Sequence, residues 1–321
     1  MNSDSLVFLE EKKPRIVMFC GKGGVGKTTC ASTTALHFAL RGKRTLLIST
    51  DPSPSLSDIL EQDVHGKVTP VNAVDNLVAV ELDYDRVVEM WKDRFGDEVY
   101  ELISSFLPVE EDIIEYVAGA PGIDEEFALS YVYDLYVSGE YDVIVWDTAP
   151  AGGTLALLKL EDTFYRHLGE AARLYIKVRS ALSALSEGRA KRDPLKIIAK
   201  WEHLAQVVLG MMKDEGTLAI LVTIPEALGV NQTQRVARDL EKFGIHVRGI
   251  IINHVLTEAA ADSEFNRSRR EMQQKYVEEI DKTYSKTMPV VQLPLQSFEV
   301  KGVDALLEVE RLLFRKPASS S

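Results

Sequence analysis

Residues 21–29 combine four glycines and two lysines in a spacing suited to binding phosphate. The segment Gly-Lys-Gly-Gly-Val-Gly-Lys-Thr-Thr fits the pattern G-x-x-x-x-G-K-[ST]. Glycines let the backbone curl so that successive N–H groups point at a phosphate. Lys27 is expected to reach the β- and γ-phosphates, and the Thr28 hydroxyl to take one Mg²⁺ position. The predicted nucleotide-binding residues of this loop are Gly21, Lys22, Gly23, Gly24, Val25, Gly26, Lys27, Thr28 and Thr29.

The loop lies between a strand pattern and a helix pattern. Residues 16–19 form an apolar run typical of a buried strand, and residues 29–40 repeat apolar side chains at helical spacing until Gly42. The positive end of that helix would face the bound phosphate. Strand, glycine loop and helix are the context that this pattern requires.

Lys22 is the second lysine of this deviant Walker A loop, and the phosphate cradle does not explain it. Lys22 comes directly after the first glycine, before the backbone has curled around the phosphate, so its side chain is not expected to contact the phosphate of its own site. A solvated lysine at the end of a strand is one explanation. The other is a lysine that points out of its own site toward the nucleotide of another subunit. We predict the second arrangement, and with it a homodimer.

Two carboxylates follow other apolar runs. Asp147 precedes a loop of small residues, 148–154, as expected of a switch that holds Mg²⁺ through water. Asp51 follows the second strand and is the best candidate to orient or deprotonate the attacking water. Each also has a simpler explanation as a turn residue. We predict Lys22, Lys27 and Asp51 as catalytic, and Thr28, Asp51 and Asp147 as the Mg²⁺ site, directly or through water.

The apolar runs predict an α/β fold. Strands that are apolar throughout and are separated by helical stretches indicate a parallel sheet covered on both faces. We predict one P-loop ATPase domain over residues 1–321, with a doubly wound, mostly parallel sheet and a helical subdomain inserted at about 84–138 and 160–215. Further predicted strands are at 45–49, 77–82, 143–146, 218–224, 247–252 and 290–293.

Both inserted regions carry apolar stripes at helical spacing. Such stripes usually face a core. Burial is therefore expected for most of these residues, whereas the position of these helices outside the nucleotide fold, with only one another as cover, favours partial exposure. The stripes are Val87, Met90, Trp91, Phe95, Val99, Leu102, Ile103 and Phe106; Leu168, Ala172, Tyr175, Val178, Leu182 and Leu185; and Leu195, Ile198, Trp201, Leu204, Val208 and Met211.

Composition favours a cytoplasmic protein without nucleic-acid partners. The net charge of −12 offers no basic field to DNA or RNA. The sequence contains no apolar stretch long enough to span a membrane, and its N-terminus lacks the pattern of a signal peptide. Cys20 and Cys30 are the only cysteines, and both are interpreted as small buried side chains.

Several of these motifs together resemble the arsenical pump-driving ATPase family. Within it, the chain is most similar to the Get/TRC-type targeting factors of tail-anchored membrane proteins, over residues 15 to about 313. The resemblance implies a Mg²⁺- and ATP-dependent homodimer that chaperones the transmembrane helix of a client in a hydrophobic groove and delivers it to a membrane receptor. The matching segments are 21–29, 51–58, 147–150, 224–227, Asn253 and 294–302.

The resemblance also implies roles for single residues. Lys22 would cross the dimer interface, Asp51 would activate water and Asp147 would lie near Mg²⁺. The base pocket would be formed by Asn253, which reads adenine with its amide, and by the backbone around Pro294 and Leu295, with Glu226 supporting the site across the dimer.

Four positions depart from the family pattern. Pro54 and Gly153 stand where members usually have histidines in the two switch motifs. Ser263 and Asn266 stand where the targeting branch usually has a C-x-x-C pair that shares zinc across the dimer. Neutral Ser and Asn are poor zinc ligands. We therefore predict no zinc, and a dimer held by nucleotide and packing.

Two alternative functions share parts of this pattern. Catalytic subunits of metalloid-efflux pumps usually consist of two fused ATPase halves with sensing cysteines, whereas this chain has one loop. Chromosome- or division-site positioning ATPases share the deviant loop, but they are usually shorter and bind DNA or membrane through a basic surface or a terminal amphipathic helix. The targeting ATPase is our prediction.

Overall fold

The structure is a computed structural model that describes residues 5–51, 55–104, 108–119, 123–149 and 194–315. Several predicted features lie outside these residues. They are Pro54, Phe106, Gly153, most of the loop 148–154, the stripe from Leu168 to Leu185 and the C-terminal tail from 316.

The described chain contains one eight-stranded sheet in the order β3-β4-β2-β5-β1-β6-β7-β8. Every neighbouring pair is parallel except β3 and β4. The central strand β1 lies between β5 and β6, so the chain adds strands on both sides of it, as in a doubly wound fold. The strands are β1 Ile16–Gly21, β2 Thr45–Ser49, β3 Thr69–Pro70, β4 Leu77–Glu81, β5 Val143–Asp147, β6 Thr217–Thr223, β7 His246–Val255 and β8 Val290–Pro294.

The predicted α/β fold class is confirmed. Every residue of β1, β2, β5 and β6 is buried, which explains why these strands are continuously apolar rather than alternating. The short strand β3 was not predicted. It has only two residues, too few for any periodic pattern, and it pairs antiparallel with β4 at the sheet edge, where proline is tolerated.

Helices connect most of the strands. Helix α2 follows the glycine loop, and its small side chains Cys30, Ala31, Ala35 and Ala39 allow it to be buried on nearly all sides between the sheet and α10. The helices are α1 Phe8–Lys12, α2 Lys27–Leu40, α3 Leu56–Leu60, α4 Tyr84–Ser104, α5 Ile113–Ala118, α6 Ile123–Ser138, α7 Pro194–Lys213, α8 Ala227–Lys242, α9 Glu264–Tyr284 and α10 Gly302–Leu313. None of these helices combines the length and the apolar character that crossing a bilayer requires.

The chain divides into two compact units. The sheet unit is drawn from Met1–Leu82, Leu135–Leu155 and Lys213–Ser321, and it contains all eight described strands. The helical unit is drawn from Asp83–Asp134 and Ala156–Met212, and its described part contains α4, α5 and most of α6 and α7.

Aromatic side chains hold the helical unit together. The Phe95 ring of α4 makes edge contacts with the rings of Phe127 and Trp201, both at centroid distances of 6.4 Å. The Glu98 carboxylate accepts hydrogen bonds from Lys200 Nζ at 2.5 Å and Trp201 Nε1 at 2.8 Å. Burial, the arrangement expected for most of the stripe residues, is found for Val87, Trp91, Phe95, Val99, Ile198, Val208 and Met211.

Candidate functional site

The carboxyl ends of three neighbouring strands bring most of the predicted site together. Register along β1, β5 and β2 aligns Phe19 with Asp147, and Asp147 with Ser49. The glycine loop continues from β1 into α2, and Asp51 lies two residues beyond the end of β2. These strand ends lie at one edge of the sheet, where open parallel sheets bind their ligands.

Gly26 is the point at which the loop turns into α2. Its φ of 91° is a left-handed conformation that favours glycine. A Cβ here would lie 2.2 Å from Nδ2 of Asn253, and that amide donates a hydrogen bond to the Val25 carbonyl at 2.9 Å. The N–H groups at the start of α2 have no acceptor within the helix. Loop and helix start therefore form the geometry of an anion site.

Lys27 and Asp51 form a buried ion pair at the start of α2. Lys27 Nζ lies 3.6 Å from Asp51 Oδ2, and both side chains are almost fully buried. A phosphate bound in the loop would compete with Asp51 for the Lys27 ammonium. The predicted water-activating carboxylate is thus the counter-ion of the predicted phosphate-binding lysine.

Asp147 is a fully buried carboxylate with one satisfied oxygen. Its Oδ2 accepts hydrogen bonds from Thr28 Oγ1 at 2.7 Å and from Ser49 Oγ at 3.4 Å. Its Oδ1 has no hydrogen-bond partner among the described residues. Burial raises the pKa of Asp147 to about 6, although the Thr28 hydrogen bond and the Lys27 charge oppose that shift.

The oxygen atoms around Asp147 fit a Mg²⁺ ion better than an all-protein metal centre. Ser55 Oγ lies 3.1 Å from Thr28 Oγ1, so two hydroxyl groups lie beside a carboxylate that has one oxygen without a hydrogen-bond partner among the described residues. Within the described residues, no three His, Cys, Asp or Glu side chains are grouped for a metal ion. Mg²⁺ usually keeps several waters and takes substrate phosphates as ligands. Thr28 and Asp147 would hold it, directly or through water.

Asp147→Asn is expected to stabilise the metal-free, nucleotide-free protein by an amount that grows with pH. Because the pKa of Asp147 in the folded state is about 6 and its ordinary value is 3.8, the folded protein binds more protons between these values than the unfolded chain. Wild type therefore loses stability as the pH rises from about 4 to about 6, on the order of 2 kcal/mol, and the uncharged variant does not. Urea unfolding of both proteins in EDTA across this range measures the difference, and a constant difference would contradict the prediction.

Two predicted base-site residues line a cavity of about 300 Å³, at the lower end of the sizes of ligand pockets. Glu226 Oε1 accepts a hydrogen bond from Arg269 Nη2 at 2.9 Å, so within this chain Glu226 is paired. Pro294 ends β8, and Leu295 donates its N–H to the Val255 carbonyl at 2.9 Å. Glu226 and Leu295 line the cavity together with Ile224, Pro225, His254, Leu256, Phe265, Asn266, Arg269 and Gln273.

Asn253 lies against the glycine loop. Its side chain is buried, with Nδ2 donating to the Val25 carbonyl and Oδ1 accepting the N–H of His254 at 2.8 Å. One amide hydrogen and one lone pair remain for other partners. Adenine reading by Asn253 stays a prediction, and it would use these remaining groups.

The predicted catalytic lysine Lys22 is exposed, in contrast to the buried Lys27. Ser263 begins α9 as its N-cap, because its Oγ accepts the N–H of Asn266 at 3.1 Å. The Asn266 side chain donates to the Ala260 carbonyl at 3.0 Å and to Asp262 Oδ1 at 3.2 Å. Of the two residues at the positions where the resemblance places cysteines, Ser263 therefore caps α9 and Asn266 bonds the residues that precede the helix.

Ser49, Ser55 and Arg269 contact the predicted site, but the sequence analysis did not single them out. A signal existed for Ser49, which is a polar residue at the end of an apolar run. Ser55 was only part of a turn-like segment. Arg269 belongs to a run of charged residues on α9, and its pairing with Glu226 depends on a contact between residues 43 positions apart in the sequence.

A glycine loop between a central parallel strand and a helix, with Lys, Thr and Asp at the strand ends, defines a P-loop nucleotide hydrolase. The family model of the anion-transporting ATPases matches residues 14–315, and the chain belongs to that family. The predicted resemblance to the arsenical pump-driving ATPases is thereby confirmed, and so is the prediction of an ATP-hydrolysing enzyme.

Relatives from several groups of organisms match almost the whole chain. ATPase ASNA1 homolog 1 of Paramecium tetraurelia is 32% identical over 97% of this chain and 95% of its own. ATPase GET3C of Arabidopsis thaliana is 32% identical over 92% of this chain and 81% of its own. A relative from Aquifex aeolicus (strain VF5), whose name places it with the arsenical pump-driving ATPases, is 33% identical over 93% of this chain and 99% of its own.

Proposed function

We propose that this ATPase is a cytoplasmic homodimer that carries the transmembrane helix of tail-anchored membrane proteins. ATP binding and hydrolysis would close and open the dimer, and with it a hydrophobic groove built from the helical units. A membrane receptor would accept the client. The observation that carries the proposal is the presence of two parts in one chain, a phosphate site at the strand ends and a separate unit of apolar helices. Whole-length relatives named ASNA1 and GET3 support it.

The contacts of the sheet unit support a sequence of events at the phosphate site. An arriving γ-phosphate would take Lys27 from Asp51, and the Asp51 carboxylate would then orient and deprotonate water. Thr28 and Asp147 would hold Mg²⁺, directly or through water, and the ion would supply positive charge beside the phosphates. Exposed Lys22 would donate to the phosphates of the partner and so make hydrolysis depend on the dimer.

The buried stripes place a condition on client binding. Val87, Phe95 and Ile198 are covered in this chain, so a client helix could reach them only after rearrangement of the helical unit. Such a rearrangement is what nucleotide-driven closure would supply, because a ligand shifts a protein toward the state that it binds more tightly.

Purified full-length protein is expected to keep a tail-anchored peptide in solution through its apolar helix. The peptide is mixed with the chain in ATP, in ADP and without nucleotide, and the complex is measured by gel filtration. The matched control peptide carries two lysines within the same helix, which makes burial of that helix costly. Equal recovery of both peptides would contradict the carrier function. Failure to bind either peptide in any of the three nucleotide states would contradict it as well. Neither result would bear on the ATPase activity.

The cysteines do not favour the metalloid-efflux alternative. Burial raises the pKa of the Cys20 thiol to about 11, and burial raises the pKa of Cys30 further still. Metalloids bind thiolates, and a buried, protonated thiol is a poor ligand. Stimulation of ATP hydrolysis by arsenite would instead support the metalloid-efflux function.

A further inference from the structure

Gln273 is a buried residue of α9 whose amide bonds the backbone at the end of β7. The buried side chains of α9 are Gln273, Val277 and Ile280, which share one face at helical spacing. Gln273 Oε1 accepts the N–H of Leu256 at 2.8 Å, and its Nε2 donates to the His254 carbonyl at 2.9 Å. A buried amide is costly unless it is hydrogen-bonded, so a glutamine on this apolar face is suited to holding that backbone.

The backbone held in this way has an uncommon conformation. Ile252 pairs with Gln292 of β8 and Val255 pairs with Pro294, so three steps along β7 match two along β8. The extra residue makes a β-bulge. Within it, His254 has a φ of 58°, in the left-handed region that is uncommon for residues other than glycine. Because His254 is exposed, its backbone bonds rather than packing of its side chain are expected to hold this conformation.

The bulge places Asn253 against the glycine loop. Asn253 Oδ1 accepts the N–H of His254 at 2.8 Å, and its Nδ2 donates to the Val25 carbonyl at 2.9 Å. The same Nδ2 lies 2.2 Å from the place that a Cβ on Gly26 would take. Consecutive hydrogen bonds therefore connect Gln273, through His254 and Asn253, to the loop that forms the phosphate site.

We propose that Gln273 is a positioning residue for nucleotide binding, acting through the bulge on Asn253. The inference rests on the predicted role of Asn253 at the nucleotide site. Without the Gln273 amide, His254 can leave the left-handed region, and the Asn253 side chain then loses the orientation that the glycine loop and the base require. The groups predicted to act in hydrolysis are not part of this connection. The expected signature is therefore weaker nucleotide binding at a nearly constant kcat.

Calorimetric titration of two glutamine variants with Mg-ADP tests the proposal. Gln273→Met keeps the length of the side chain but removes both hydrogen bonds, and its Kd for ADP is expected to rise roughly 5- to 30-fold. Its kcat at saturating ATP is expected to change by less than about threefold. Gln274→Met is the matched control, because exposed Gln274 bonds Glu278 of the same helix at 3.0 Å, and it is expected to keep the wild-type Kd. A wild-type Kd in Gln273→Met would overturn the proposal.

A double variant separates this inference from the predicted role of Asn253. If Gln273 acts through Asn253, Gln273→Met with Asn253→Ala is expected to bind ADP no more weakly than Asn253→Ala alone. Additive losses would show that Gln273 acts elsewhere, or only by loosening the fold, and would overturn the inference. A wild-type Kd in Asn253→Ala would instead refute the role of Asn253. Weak binding by Asn253→Ala beside wild-type binding by Gln273→Met would refute the role of Gln273 alone. These titrations contain no client peptide, so none of their outcomes bears on the carrier function.

The left-handed backbone of His254 provides a second test if Gln273→Met does not fold. A β-branched side chain disfavours this conformation, whereas Asn adopts it more readily. His254→Val is therefore expected to weaken ADP binding by about 3- to 10-fold, and His254→Asn to bind ADP more tightly than His254→Val. Because both variants remove the imidazole, the difference between them reports on the backbone. Equal Kd values for the two variants would overturn the proposal.

Discussion

Asp51→Asn is expected to lower kcat for ATP hydrolysis by roughly 10²- to 10⁴-fold, the range associated with removing a general base. The amide keeps the shape of the carboxylate but cannot take a proton from water. ATP affinity is expected not to fall, because the variant removes the anion that lies 3.6 Å from Lys27 and competes with phosphate for it. The variant should therefore bind ATP and hydrolyse it only slowly.

Single-turnover hydrolysis and titration with a fluorescent ATP analogue measure the two effects separately. The control is Asp142→Asn, which neutralises an exposed aspartate paired with Arg44 at 2.8 Å, just before β5. A kcat for Asp51→Asn within about threefold of wild type would exclude Asp51 as the base. Weaker ATP binding would argue against competition between Asp51 and phosphate.

Lys22→Ala is expected to lower kcat by roughly 10²- to 10³-fold, the cost of removing one group that stabilises the charge of the transition state. The side chain is exposed in the single chain, so the fold and its unfolding temperature are expected to stay unchanged. Nucleotide-dependent dimerisation should weaken at the same time. Lys43→Ala, which removes another exposed lysine, is the control for charge.

Mixing two inactive variants tests whether Lys22 acts on the partner. In a heterodimer of Lys22→Ala with Lys27→Ala, one site would have its own Lys27 and the Lys22 of the other chain. An equal mixture is expected to recover about a quarter of wild-type activity, because half of the dimers would carry one complete site of two. A mixture that stays inactive although sedimentation shows heterodimers would place Lys22 in its own site.

The parallel strands were predictable because burial of both sheet faces leaves continuous apolar runs. The predicted boundaries of β2 agree with the structure, and β7 extends beyond its prediction by one residue before and three after it, where polar residues enter the strand. The glycine loop was predictable because few other segments need Gly, Lys and Thr at fixed spacing. Such patterns are local, and one sequence is enough to read them.

Contacts between distant segments were not predictable in the same way. The alignment of Ser49 with both Asp147 and Glu81 depends on strand order, which no periodic pattern records. The burial of Phe95 depends on rings from α6 and α7. The helical spacing of the stripe showed that an apolar face existed, but the partner that covers this face comes from other parts of the chain.

With Asn253 as the predicted reader of adenine, its amide would link the choice of nucleobase to the binding of phosphate. It already bonds Val25 and His254, and its nitrogen fills the space that a side chain on Gly26 would need. A mutation at position 253 that altered base preference would also release the loop. A different nucleotide specificity could therefore evolve by substitution of Asn253 only through intermediate variants that bind every nucleoside triphosphate weakly.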